Sequence, residues 1–211
     1  MKAYHFLNED MRAGSGKEKP WTVSEERTVP KPERVSLCAY GYHSAPSWFD
    51  ALRYAPGPVA CIVEVSDPIS KDNTKQVSAT RKLLAAKDVS KELRLFGCDC
   101  AERALKRERK AGREPDERSW KAIIVSRLYA NGEANLQELD AARAAAWDAA
   151  RAAAWDAAWE AARAAAWDAA RDAAWEAAWE AARAAAREAE IKWQRNRLAR
   201  YLDAVFADKG G

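Results

Sequence analysis

Carboxylates abound in this 211-residue chain, but those of its repeat wind with a helix and cannot converge on one site, and histidines and cysteines are few and scattered. Its two histidines, His5 and His43, stand apart from Cys38, Cys61, Cys98 and Cys100 in a spacing that no zinc site uses. Cys98 and Cys100 lie two apart in a helical stretch and so point different ways. Neither a Gly-rich phosphate loop, nor a G-x-S-x-G elbow, nor a thiol-protease spacing is present. These residues assign no catalytic group, no metal site and no cofactor. The chain repeats indole and guanidinium instead. Trp147, Trp155, Trp159, Trp167, Trp175 and Trp179 open four-residue units, as do Arg143, Arg151, Arg163, Arg171, Arg183 and Arg187. Their chemistry is association. A packed indole buries about 150–250 Å², and a guanidinium four residues on, as in Trp147–Arg151, Trp159–Arg163 and Trp179–Arg183, can lie over its face.

The element that must carry them is helical. Between the units stand Ala pairs, and Ala, Glu and Arg are strong helix formers. No Gly or Pro occurs between Gly132 and Gly210. Asn135 followed by Glu138 predicts an N-cap with its capping box. An uninterrupted helix from there would run roughly 70 residues, or about 105 Å. A four-residue step overshoots one turn by about 40°, so the indole line winds around the helix once in about 36 residues. A strict four-residue step lies beyond the eleven-residue repeat in the right-handed direction, which leaves strong right-handed wrapping of several helices or a helix buried by different neighbours along its length. The expectation is helix–helix association as a coiled coil or bundle, in a homo-oligomer or with a protein partner docked on the repeat. A spacer helix grown by repeat expansion is the plainer alternative.

Charge narrows the partners. The formal net charge is +3, which demands no acidic partner. From Leu139 to Glu190 there are 6 basic and 10 acidic residues, a net of −4, so the repeat is not a nucleic-acid arm. Charges recur at nearly every unit, and no window approaches the ~20 apolar residues of a membrane span. With no signal peptide apparent and thiols readable as reduced, a cytoplasmic location is expected.

The front of the chain predicts an α+β arrangement: a small mixed sheet domain over 1–86, a helical hairpin over 87–131 and the repeat helix over 132–211. Met1–Leu7 reads as a first strand, Trp21 and Val23 as alternating strand positions, and Val35–Tyr42 as another strand. Ser44 offers an N-cap to a helix through Trp48, Phe49, Leu52 and Tyr54 that stops at Pro56-Gly57. Val59–Ser66 is the strongest strand, with Val59, Cys61, Val63 and Val65 on one face, and a turn near Lys71-Asp72-Asn73 leads to a strand over Gln76–Leu83. Asp88 caps a helix with Val89, Leu93, Phe96, Cys100, Ala104 and Leu105 inward. A second helix from Pro115 turns Trp120, Ile123, Ile124, Leu128 and Tyr129 inward.

Three stretches carry resemblances. Met1-Lys2-Ala3-Tyr4, Leu37–Ser44 and Asp50–Gly57 resemble uncharacterised phage and prophage proteins. Leu93–Leu105, and Gly132–Leu139 leading into Ala/Arg/Trp repeats, resemble a family described as immunity proteins. This implies a mobile-element accessory role and supplies no mechanism. Tyr4-His5 on a first strand, then Gly41-Tyr42-His43-Ser44, a helix and a strong strand at Val59 also follow an order similar to ADP-ribosyltransferase-like folds. That resemblance implies His5 on an NAD ribose and Tyr42 stacked on nicotinamide, with Ser44 nearby. The acidic residue of the pattern has no clear counterpart; Glu64 is on a strand.

Overall fold

The computed structural model describes residues 1–14, 18–165 and 173–207, with side chains throughout except at 67–69 and 152–184. The chain is α+β. It divides into two compact units, Met1–Leu93 with Gln194–Gly211, and Arg94–Trp193.

The first unit is built on strands β1 (Lys2–Leu7), β2 (Glu26–Thr28), β3 (Tyr42–Ser44), β4 (Val59–Lys71) and β5 (Gln76–Asp88), with a short helix α1 (Trp48–Leu52). The strand order is β1-β4-β5-β2, and β3 also pairs with β5. Every pairing is antiparallel, where a mixed sheet was expected. For β4 and β5 the short connection decides this, because a tight hairpin can only join antiparallel neighbours. Asp72 closes it by accepting from the backbone N–H groups of Thr74 (2.7 Å) and Lys75 (2.8 Å). β2 and β3 share one edge of β5, against 80–82 and 76–78 respectively. Just past β3, Ala45 exchanges backbone bonds of 2.8 and 2.9 Å with Tyr4. The sheet thus curls until β3 and β1 meet.

Alternation holds where both faces differ. Val59, Cys61, Val63 and Val65 are buried together with Ala3, Leu7, Trp21 and Leu83. Other expectations shift. Val35–Tyr42 is not a strand: Ser36 bridges Tyr40 around a left-handed Cys38 (φ 65°), and the strand begins only at Tyr42. Trp21 is buried, but Val23 is exposed and neither lies on a strand. The N-cap is Ser47, whose Oγ accepts from the Asp50 N–H, while Ser44 stays in β3. Gly41 explains the tight entry into β3. At φ 123° a Cβ there would meet Val77 Cγ2 at 2.6 Å and the Ser78 carbonyl oxygen at 3.0 Å.

Helices α2 (Ser90–Lys110) and α5 (Ala173–Ala207) each have residues in both units; α3 (Glu117–Ala130) and α4 (Leu136–Ala165) lie in the second. The final turns of α5 pack within the first unit. Leu198 and Leu202 are fully buried, Trp48 stacks on Phe206 at 5.3 Å, and the Trp48 indole N–H donates to Asp203 at 2.9 Å. Arg195 reaches the buried Asp50 at 3.2 Å.

In the second unit the expected hairpin of α2 and α3 is held by Arg127, which donates to Asp99 (2.8 Å) and Glu102, and by Arg94 over the Tyr129 ring. α3 packs most closely against α4, burying Ile123, Leu139, Ala142 and Ala149. Ile124, expected inward, is 57% exposed. It sits about 100° around the helix from Ile123, outside the narrow stripe that faces α4. The capping box forms as expected: Asn135 N–H donates to Glu138 (2.8 Å) and Glu138 N–H to Asn135 Oδ1 (2.9 Å). Residues 166–172 lie outside the described residues, and with them the question of one continuous repeat helix. Among the described residues no helix is long and apolar enough to cross a membrane.

Candidate functional site

A cavity of about 440 Å³ opens in the first unit where β1 and β3 meet, within the ~300–1,000 Å³ range of small-molecule sites. β1 contributes Tyr4 and His5, β3 contributes Tyr42, His43 and Ser44, and β5 contributes Arg81. Glu18 and Gly14 come from the loop after β1, Tyr54 from just beyond α1, Lys75 from the β4–β5 turn and Cys38 from the bend before β3. His5, Tyr42 and Ser44, separated by up to 39 positions in sequence, therefore share one wall system.

Arg81 dominates its chemistry. The side chain is 2% exposed, yet among the described residues no carboxylate stands within ion-pair distance. Nη1 donates to the His43 carbonyl at 3.0 Å, and the guanidinium lies over Trp21 (4.3 Å) and Tyr42 (5.1 Å). Ring faces stabilise a cation in part, but a buried charge ordinarily has a counter-charge. Burial holds the Arg81 pKa down to about 10, where it is still cationic at neutral pH. Glu18 also lines the cavity. Its Oε1 is engaged elsewhere, accepting from Ala13 N–H (2.8 Å) and the Trp21 indole (3.2 Å).

The two histidines are neutral for related reasons. Burial, then the nearby Arg81 and His43, push the His5 pKa well below its ordinary value, and its Nε2 has no hydrogen-bond partner among the described residues. Burial also lowers His43, whose Nε2 accepts from the Cys38 N–H at 2.9 Å. Ser44 Oγ accepts from Gln76 Nε2 at 3.2 Å, leaving its own proton to donate into the site. Burial raises the Tyr42 phenol, which stays protonated. At the rim, Lys75 Nζ donates to Cys38 Sγ at 2.8 Å and lies over Tyr54. This is a set of donors and ring faces around one unpaired cation. It suits binding of an anionic, partly aromatic molecule.

Sequence reasoning missed Arg81, although a signal existed. Val77, Ala79, Arg81 and Leu83 occupy one alternating face of β5, and only Arg81 is polar among them. An arginine in an apolar register is a buried cation awaiting a reason. Glu18 had no such signal, since a loop brings it to the cavity. Glu64, the acidic candidate on a strand, is exposed on β4 opposite Lys2 and does not line the cavity. Of the repeat indoles, Trp147 is 67% exposed on α4. Trp155 and Trp159 on α4, and Trp175 and Trp179 on α5, have side chains outside the described residues, and Trp167 lies outside them altogether. Among the described residues no group of three His, Cys, Asp or Glu could hold a metal ion.

No curated protein matches the chain, and no solved structure does. Residues 1–94 match the model of a family described as a domain of unknown function, DUF7666, a span that holds every residue lining the cavity and none of the repeat.

Proposed function

We propose that this chain is a ligand-recognising assembly protein: the N-terminal domain takes up NAD or a nucleotide, and the repeat helix sets how many such domains act together. The observation that carries the first half is the convergence of His5, Tyr42 and Ser44 with the buried Arg81 on one cavity. Tyr42 provides a ring face, Ser44 and Arg81 provide donors, and neutral His5 provides a polar contact. The role is recognition without a catalytic step. Titration of the full chain with NAD and with linear and cyclic nucleotides, followed calorimetrically, is the test. Saturable heat that the Tyr42→Ala variant weakens is expected; absence of heat with every member of the panel removes this reading.

The association half is supported by Trp147, a large apolar side chain left two-thirds exposed on α4. Light scattering behind a sizing column should show a discrete oligomer, concentration-stable, that simultaneous Trp→Ala changes at Trp155, Trp159, Trp175 and Trp179 dissolve. An unchanged mass in that variant defeats the association role. A mobile-element accessory setting fits the N-terminal resemblance, and self-assembly or docking on a protein partner fits the repeat.

A further inference from the structure

From the unpaired guanidinium we infer that the inner wall of the cavity, at Arg81, is an anion subsite that seats the phosphate of a mononucleotide-sized phosphomonoester. This deepens the proposed ligand recognition and rests on it. Arg81 is nearly sealed from solvent and lies under two ring faces, with one carbonyl as its acceptor among the described residues. Its fork therefore retains N–H groups with no acceptor among the described residues, in a residue that lines an open cavity. A guanidinium fork matches phosphate oxygens in bidentate geometry.

The neighbouring groups favour a tetrahedral oxyanion over a planar carboxylate. Arg81 from β5, Ser44 from β3 and His5 from β1 approach the space from three strands. Several polar groups lining one space suit an acceptor with three terminal oxygens; a carboxylate offers two. Lys75 at the rim adds a second positive charge; Glu18, the one carboxylate in the lining, has its Oε1 bonded to Ala13 and Trp21 and favours the Arg81 cation only from beyond ion-pair distance. Tyr42 and Tyr54 line the same cavity and give it aromatic surface for a base or ribose beside the phosphate. The cavity is of a size for a mononucleotide.

The test compares matched ligands on the unaltered full-length protein: the four ribonucleoside 5′-monophosphates, the four corresponding nucleosides, and NAD, each titrated calorimetrically. A monophosphate should bind roughly tenfold or more tighter than its nucleoside, the effect of a charge-assisted hydrogen-bonded pair. In Arg81→Gln the two should bind alike, with circular dichroism confirming that the variant is folded. Should that variant unfold, the wild-type pair still decides. Equal binding of nucleoside and monophosphate overturns the phosphate subsite and leaves ligand recognition standing. NAD binding without any monophosphate binding does the same. Failure of the whole panel overturns both.

Discussion

His5 shows how one half-buried side chain ties the site to stability. Its folded pKa is held well below the ordinary 6.5 by burial, then by Arg81 and His43, and His43 is lowered too. Folded protein refuses the proton that unfolded chain accepts once the pH drops under about 6.5. Stability should therefore be level in this respect above that pH and fall as the solution is acidified toward pH 5. Glu25 acts in a lower window. Its carboxylate, bonded to Arg27 and the Thr22 N–H, is held down to about 2 from 4.5, so its contribution persists until the pH falls below 4.5 and is lost through about 2. Urea unfolding at closely spaced pH values separates the two. A slope between pH 6.5 and 5 that the His5→Asn variant reduces is expected, and an identical slope in that variant would discount the histidine. Of the cysteines, Cys61 is pushed up to about 12 by burial and is chemically quiet.

At the scale of elements, the cavity depends on how closely β3 lies on β5. Gly41 permits that approach, since any Cβ would strike Val77 and the Ser78 carbonyl while φ stays at 123°. Gly41→Ala is expected to cost more than about 1 kcal/mol and to weaken ligand binding, because Tyr42, His43 and Ser44 move with the strand. Chemical denaturation and titration of the same variant check both; full binding in a destabilised variant would separate β3 placement from the site. The end of α5 is a second dependency. Leu202 is fully buried in the first unit, and Leu202→Ala should cost about 2–5 kcal/mol in urea unfolding. A cost like that of a surface change would mean these turns do not cover the core.

For the whole molecule, the two units divide the proposed roles. Every residue lining the cavity lies in the first unit and in the part of the chain that matches a family model; the repeat lies outside that match. Calorimetry and light scattering thus report on different parts of the chain. A repeat variant that loses its oligomer should keep its affinity for ligand per chain, though multivalent targets would be held less firmly.

Much of the architecture follows from local sequence alone. Alternation along Val59–Val65 determined a strand with a buried face, the Asn135–Glu138 pair determined where α4 begins, and Ala-rich units determined helix, because each signal acts over a few residues through propensity or a side chain bonding its own backbone. His5, Tyr42 and Ser44 were legible only through a pattern of order along the chain. Tertiary structure decided the rest. Arg81 became a site residue because a curled antiparallel sheet sealed its side chain beside a cavity, Glu18 because a loop crossed there, and Leu202 a core residue because the last turns of α5 joined the first unit. Spatial convergence depends on register and curvature summed over the whole sheet. No stretch of sequence contains it by itself.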